Sequence, residues 1–181
     1  SLMNYTFVSK YARWIPEKKR RETWNEAVDR VKQMMLQKYV YGDLENNKEI
    51  EEEIEWAYEQ MCKKKVLGSQ RALQFGGGPI IKHNARIYNC ITSYVDRLKF
   101  FQECMFLLLC GCGTGFSVQR HHVAKLPKLL KQKSGSKKFT IPDSIEGWSD
   151  AVGVLVSSYF DQGELFPEYS GKSVNFDYSL I

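Results

Sequence analysis

The hydrophobic positions fall into two textures that change near Val66. Before it, apolar side chains recur at helical spacing. Trp24, Val28, Val31 and Met35 mark one stripe; Ile50, Ile54, Tyr58 and Met61 mark a second, with glutamates opposite. Each stripe predicts an amphipathic packing helix. Arg13-Trp14-Ile15-Pro16 reads as an extended arm, Glu17-Lys18-Lys19-Arg20-Arg21 as the charged start of the first helix, and Gly42-Asp43 with Asn46-Asn47 as the break before the second. Beyond Val66, Leu67-Gly68-Ser69 and Phe75-Gly76-Gly77-Gly78-Pro79 interrupt the chain too often for a long helix. They predict loops around a short helix or strand.

From Arg86 to Val95 the chain alternates and is rich in β-branched and aromatic residues, which predicts a strand with Cys90 near its middle. Arg97 to Cys110 is apolar on nearly every side and predicts a helix buried between layers; Thr114 to Arg120 returns to strand character. Strand, helix and strand in succession imply a βαβ-like unit, hence a parallel or mixed sheet with helices outside. Lys128 to Lys138, with Ser134-Gly135-Ser136 inside, reads as a flexible connection. Asp143-Ser144-Ile145-Glu146 has capping-box spacing ahead of a stripe formed by Trp148, Val152, Leu155, Val156 and Tyr159. Ser173 to Ile181 alternates like a strand and would leave an unpaired sheet edge. The fold class expected is α/β, with a helical region over residues 1–67 and an α/β portion over residues 68–181.

A chain of 181 residues suits one domain, or one domain with a helical preface. The longest apolar run, Met105 to Cys110, is far short of the ~20 residues of a membrane span, so no membrane partner is expected. Ser1-Leu2-Met3 lacks the basic start of a signal peptide, and Met3 is expected to be the native start. The five cysteines, Cys62, Cys90, Cys104, Cys110 and Cys112, are an odd number in mostly apolar surroundings. They suggest a reducing cytoplasm rather than a disulfide framework. The net charge of +5 is uneven: no acidic residue lies between Glu103 and Asp143, a span holding Arg120, Lys125, Lys128, Lys131, Lys133, Lys137 and Lys138. Such a field attracts phosphates. A basic nucleic-acid-binding module is a rival reading, weakened because Lys125 to Lys138 has no aromatic residue interleaved.

The candidate chemistry centres on Gly111-Cys112-Gly113-Thr114-Gly115-Phe116-Ser117, which begins 21 residues beyond Cys90. If a βαβ unit sets the strand bearing Cys90 beside the Gly113-Thr114-Gly115 entry, a ligand ring can rest on the glycines with its sugar near the sulfur. That is a nucleotide-sized site. The GxG matches neither phosphate-loop fingerprint, and a tight turn beside a core cysteine accounts for the same residues. Cys90 stays open as nucleophile, redox thiol or filler. A hydrolytic thiol needs a positioned base, and His83, His121 and His122 cannot be assigned to it. His121 and His122 would point to opposite faces of a strand and make a poor metal pair. Cys110 and Cys112 lack a second pair at zinc spacing, so no metal is expected.

The order of motifs along the chain carries a resemblance. Tyr11-Ala12-Arg13-Trp14-Ile15-Pro16-Glu17-Lys18 and Glu22-Thr23-Trp24-Asn25-Glu26-Ala27-Val28-Asp29-Arg30-Val31 resemble the amino-terminal helical region of adenosylcobalamin-dependent (class II) ribonucleotide reductases, particularly the ribonucleoside-triphosphate reductase branch. Tyr88-Asn89-Cys90 is similar to that family's first-strand cysteine segment and Gly111 to Arg120 to its glycine-rich second strand. Pro142 to Phe160, with Glu146-Gly147-Trp148, looks like the following helix, and Ser173 to Ile181 like the next strand.

The resemblance implies a ten-stranded α/β barrel, of which this chain supplies the helical preface and the first strands. It implies replacement of the ribose 2′-hydroxyl by hydrogen, started by adenosylcobalamin through a thiyl radical and completed by two cysteines that become a disulfide. Cys90 matches the first of those reducing cysteines. By the same resemblance Asn89 lies against the sugar, Gly113 under the base, and Ser69 in a loop touching substrate phosphate or sugar, while Asp96 falls near the effector nucleoside. The implied partners are a ribonucleotide substrate, a deoxynucleotide effector, a thioredoxin-like reductant and the carboxy-terminal remainder of the enzyme. Gly111-Cys112-Gly113 departs from a relative's three glycines and would put an extra thiol near the base. Cys104, Cys110 and Cys112 do not fall where the thiyl or second reducing cysteine belongs. The chain is therefore expected to be inactive alone, as a shortened form or one part of a split gene product. A non-catalytic nucleotide-binding or regulatory protein of the same fold is the alternative.

Overall fold

The structure is a computed structural model that describes residues 2–42, 48–132, 135–161 and 165–181. By chain contacts it divides into two units, Ser1–Tyr88 and Asn89–Ile181.

In the first unit, helix α1 (Leu2–Lys10) precedes an antiparallel hairpin of β1 (Trp14–Ile15) and β2 (Arg20–Arg21). The charged run at residues 17–21 is therefore a turn and strand rather than a helix start. Lys19 takes a positive φ of 48°, which reverses the chain, and the helix signal lies two residues later. Thr23 caps α2 (Trp24–Tyr39) through a capping box: its side chain accepts from the Glu26 amide, and the Glu26 carboxylate accepts from the Thr23 amide at 2.8 Å. Glu26 also receives Arg20 at 2.7 Å and Lys18 at 2.6 Å, which hold its carboxyl far below the usual carboxylate range. Helix α3 (Lys48–Cys62) packs on α2 as the second stripe predicts. Asp43, Asn46 and Asn47 lie outside the described residues. The core joins Ala27, Val28, Val31 and Met34 of α2 with Met61, Leu73 and Ile80.

The broken segment after Val66 forms two short helices, α4 (Gln70–Phe75) and α5 (Gly78–Lys82), and a 3₁₀ turn over Asn84–Ile87. Arg30 ties them to α2. Its guanidinium donates to both Glu22 carboxylate oxygens at 2.7 and 2.9 Å, and to the carbonyls of Leu73 and Gly76 at 2.9 and 3.0 Å. Burial pushes the Glu22 carboxyl up, but the Arg30 guanidinium and the Arg13 amide outweigh it and hold the group below its ordinary value.

The second unit consists of two βαβ units in sequence. The first is β3 (Cys90–Tyr94), α6 (Lys99–Leu109) and β4 (Gly113–Ser117), with the strands parallel and Cys90 opposite Gly113. Cys90 thus opens its strand instead of occupying the middle, because the 3₁₀ turn takes up residues 84–87. Helix α6 is less enclosed than its apolar sequence predicts: Phe100 is buried, but Leu108 and Leu109 are exposed at the end that no described element covers. After β4 comes a four-residue helical turn, α7 (Arg120–Val123), where strand continuation was expected.

The second βαβ unit is β5 (Ser136–Thr140), α8 (Ile145–Ser157) and β6 (Ser173–Asp177), again parallel, and α8 packs against α6. Part of the expected flexible connection is therefore a strand. Lys137 and Phe139 turn toward Tyr169, with the Lys137 ammonium 4.5 Å from that ring, and this packing outweighs the local lysine content. Lys133 and Ser134 lie outside the described residues. Ser144, not Asp143, caps α8, its side chain accepting from the Gly147 amide at 2.9 Å. Strand β6 stops at Asp177 and pairs with β5 on one side; in this two-stranded sheet its other edge has no strand partner among the described residues.

Asp177 locks the ends of that pair. Lys138 lies 2.7 Å from its carboxylate, and the Ser179 amide and Thr140 hydroxyl donate to it at 3.1 Å, lowering its pKa to about 2. A depressed carboxyl stabilises the fold above its unfolded value and loses that contribution as pH falls through its folded value. The Asp177 carboxyl resonance is therefore expected to titrate near pH 2, with loosening of Lys138 and Ser179 confined to pH below about 4. A midpoint at the ordinary aspartate value would refute the lock.

Candidate functional site

Alternation along β3 and β4 separates two faces. On one, Ile91 and Ser93 turn toward α6, Thr114 accepts from the Cys104 thiol at 3.4 Å, and Phe116 meets Phe100 at a ring separation of 5.1 Å. A 420 Å³ cavity lies on this side, lined in part by Gln102, Glu103 and Asp150. On the other face stand Cys90, Thr92 and Tyr94, opposite Gly113, Gly115 and Ser117 in register. Cys90 is exposed on this face, which turns away from α6.

The first rung brings three of the sequence candidates together. The Gly113 amide donates to the Asn89 carbonyl at 2.8 Å. A Cβ built on Gly113 would sit 3.5 Å from that carbonyl oxygen and 3.8 Å from the Cys90 sulfur. The thiol therefore stands at the edge of a bare strip of main chain. Gly111 sets up this approach with φ 91°, in a region where only glycine is unstrained, so α6 turns directly into β4. Cys112 faces away and is 2 % exposed; it does not place an extra thiol on the open face.

The strip continues past the first rung, as the Gly113-Thr114-Gly115 entry predicts. At the second rung, Gly115 lies beside Thr92, whose methyl is 3.8 Å from where a Cβ would be. At the third, Ser117 shares a 3.0 Å hydrogen bond with His122 Nδ1, and the His122 ring lies 4.5 Å from Tyr94. His121 and His122 sit on the α7 turn with rings 4.0 Å apart, not on opposite strand faces. Burial, then His121 and Lys125, lower the His122 pKa against the pull of Asp96, which favours a neutral ring.

The remaining candidates are placed differently. Asp96 pairs with Arg97 at 2.7 Å and with Lys125 at 3.9 Å, just beyond the carboxyl end of β3. Ser69 belongs to the other unit, where it caps α4 by accepting from the Ala72 amide at 3.2 Å. Among the described residues, no group of three or more His, Cys, Asp or Glu side chains is placed to hold a metal, and no helix is long and apolar enough to cross a membrane.

Comparison with known proteins matches the profile of the ribonucleotide reductase alpha domain to residues 1–78. The adenosylcobalamin-dependent ribonucleoside-triphosphate reductases of Lactobacillus delbrueckii subsp. bulgaricus and Lactobacillus leichmannii are each 24 % identical, over 87 % of this chain and 29 % of their own length. A crystal structure of a B-12 dependent (class II) ribonucleotide reductase superposes with a TM-score of 0.77 at 24 % identity, covering 98 % of this chain and 32 % of that one. The chain resembles the class II ribonucleotide reductases. It spans about three-tenths of the length of these relatives, and the first 78 residues carry the profile match while the whole chain shares the fold.

Proposed function

We propose that this chain is the amino-terminal part of an adenosylcobalamin-dependent ribonucleoside-triphosphate reductase, contributing one redox thiol and the floor of the substrate pocket. The observation that supports this most directly is the exposed Cys90 beside the bare Gly113 backbone on the strand face turned away from α6. In functional terms we read residues 1–67 as the helical preface and residues 68–181 as the first part of a ten-stranded barrel. Cytoplasmic location accords with thiols that must stay reducible.

In the reaction so assigned, the ribose C2′–O bond breaks, the oxygen leaves as water and hydrogen replaces it. Two thiols supply two electrons and two protons and become one disulfide, which a thioredoxin-like dithiol then reduces by exchange. Cys90 is one of the two thiols. Gly113 lets the flat part of the nucleotide approach the backbone, Asn89 borders the sugar, and Ser69 and Asp96 serve substrate and effector nucleotide. Adenosylcobalamin, when bound, would supply the radical that starts the chemistry. Among the described residues, the 420 Å³ cavity on the helix side of β3 and the 540 Å³ cavity between α2 and α5 are each far too small for a corrin, so we assign the cofactor's seat to the part of the reductase that this chain does not cover.

Gly113→Ala tests the floor. Its new Cβ meets only ordinary contact distances of 3.5 and 3.8 Å, so the fold should hold. Ribonucleotide affinity, measured by calorimetry, is expected to fall roughly tenfold or more, in line with the about 1–3 kcal/mol cost of an overpacked contact. Unchanged affinity would remove the floor from the site.

A further inference from the structure

We propose that Thr92 reads the edge of the nucleobase and so helps determine which ribonucleotide the site prefers. The inference rests on the reading of Cys90 and Gly113 as a ribonucleotide site and extends it to a residue that reading does not use. Bare backbone on the Cys90 face runs in one direction only. Gly113 and Gly115 alternate along β4, and the strip ends at the third rung, where Tyr94, Ser117 and His122 close it. In the opposite direction the strand pairing ends at Cys90 and Gly113, where β4 gives way to the turn at Gly111. A flat ring that needs contact with main chain must therefore lie from Gly113 toward Gly115.

The spacing then selects Thr92. Two residues along a parallel strand advance about 6.6 Å, a distance of the same order as that from a ribose to the far edge of its base. With the ribose at Cys90, that edge reaches the second rung. Thr92 is exposed there, with its methyl 3.8 Å from where a Cβ on Gly115 would be, and it also borders the cavity on the α6 side. Its hydroxyl is the polar side-chain group of that rung and both donates and accepts, which suits it to the mixed donor and acceptor pattern of a base edge. A polar contact built for one edge discriminates far better than an apolar wall of the same shape.

The test compares wild type, Thr92→Val and Thr92→Ser in calorimetric titrations with the adenine, guanine, cytosine and uracil ribonucleoside triphosphates, and with ribose 5-phosphate, which has no base. Valine preserves shape and strand preference while removing the hydroxyl. It is expected to change the affinity ratios among the four bases by roughly three- to tenfold, the worth of one hydrogen bond, and to leave ribose 5-phosphate unaffected. Serine should keep the wild-type ratios. Equal effects on all five ligands, or none, would overturn the role of Thr92 while leaving the site intact. A folded wild-type reductase that contains this chain and binds none of them would instead overturn the ribonucleotide reading itself, and this inference with it.

Discussion

Replacing Cys90 by serine is expected to abolish deoxyribonucleotide formation in a complete reductase that contains this chain, while ribonucleotide affinity stays within about threefold. The two effects separate because the sulfur has two properties that oxygen replaces unequally. Serine fills nearly the same volume at the first rung, and the neighbouring Gly113 leaves space for either atom. A hydroxyl, however, neither forms a disulfide nor undergoes thiol exchange, so the two-electron step has no donor at this position. Cys90 is also exposed, so no packing defect should accompany the change. The measurement is product formation with a dithiol reductant, alongside calorimetric binding. Sustained dithiol-dependent turnover in the serine variant would sink the assignment, and loss of binding with loss of turnover would point to a structural role.

The juxtaposition that carries this prediction was legible in the sequence because a βαβ unit has few ways to fold. A parallel pair joined by one helix puts the starts of its two strands side by side, and Asn89-Cys90 and Gly113 are those starts. The exact rung was less legible: the alternating run from Arg86 hides a 3₁₀ turn, so Cys90 moved from the middle of a strand to its first residue. Strand β5 was hidden for another reason. Ser136 to Thr140 has lysines and a serine where a strand usually shows apolar residues, and only pairing with Ser173 to Asp177 and packing on Tyr169 make it one. Ser69 has a local role that its motif does not signal: its hydroxyl caps α4 by accepting from the Ala72 amide, a bond that engages only an acceptor lone pair. The α7 turn defeated a strand reading because Gln119 and Arg120 accept helical bonds from Val123 and Ala124, which local hydrophobicity does not signal.

Arg30→Met is expected to destabilise the first unit by about 3 kcal/mol or more, the range seen when one partner of a buried ion pair is removed. The side chains of Arg30 and Glu22 are 14 % and 8 % exposed, so the lost cation leaves a carboxylate with little access to water. The same change frees the Leu73 and Gly76 carbonyls at the end of α4, where Arg30 donates at 2.9 and 3.0 Å. These two penalties are separable. Glu22→Leu made on top of Arg30→Met removes the stranded charge but restores no donor to the carbonyls. If the unpaired carboxylate dominates, the double variant recovers most of the lost stability, and the coupling between the sites is large. If the helix end dominates, the double variant is no more stable than Arg30→Met. The charge explanation also has a pH signature. Glu22 is held below its ordinary value in the fold, so the ion pair contributes fully above the unfolded carboxyl value and fades as pH falls through the folded one. The stability gap between wild type and Arg30→Met, read by urea unfolding and by amide exchange in α2 and α4, should therefore narrow on acidification. A gap that stays constant from neutral pH to pH about 3 would assign the effect to the uncapped carbonyls and remove the ion pair as the main contribution of Arg30 to stability.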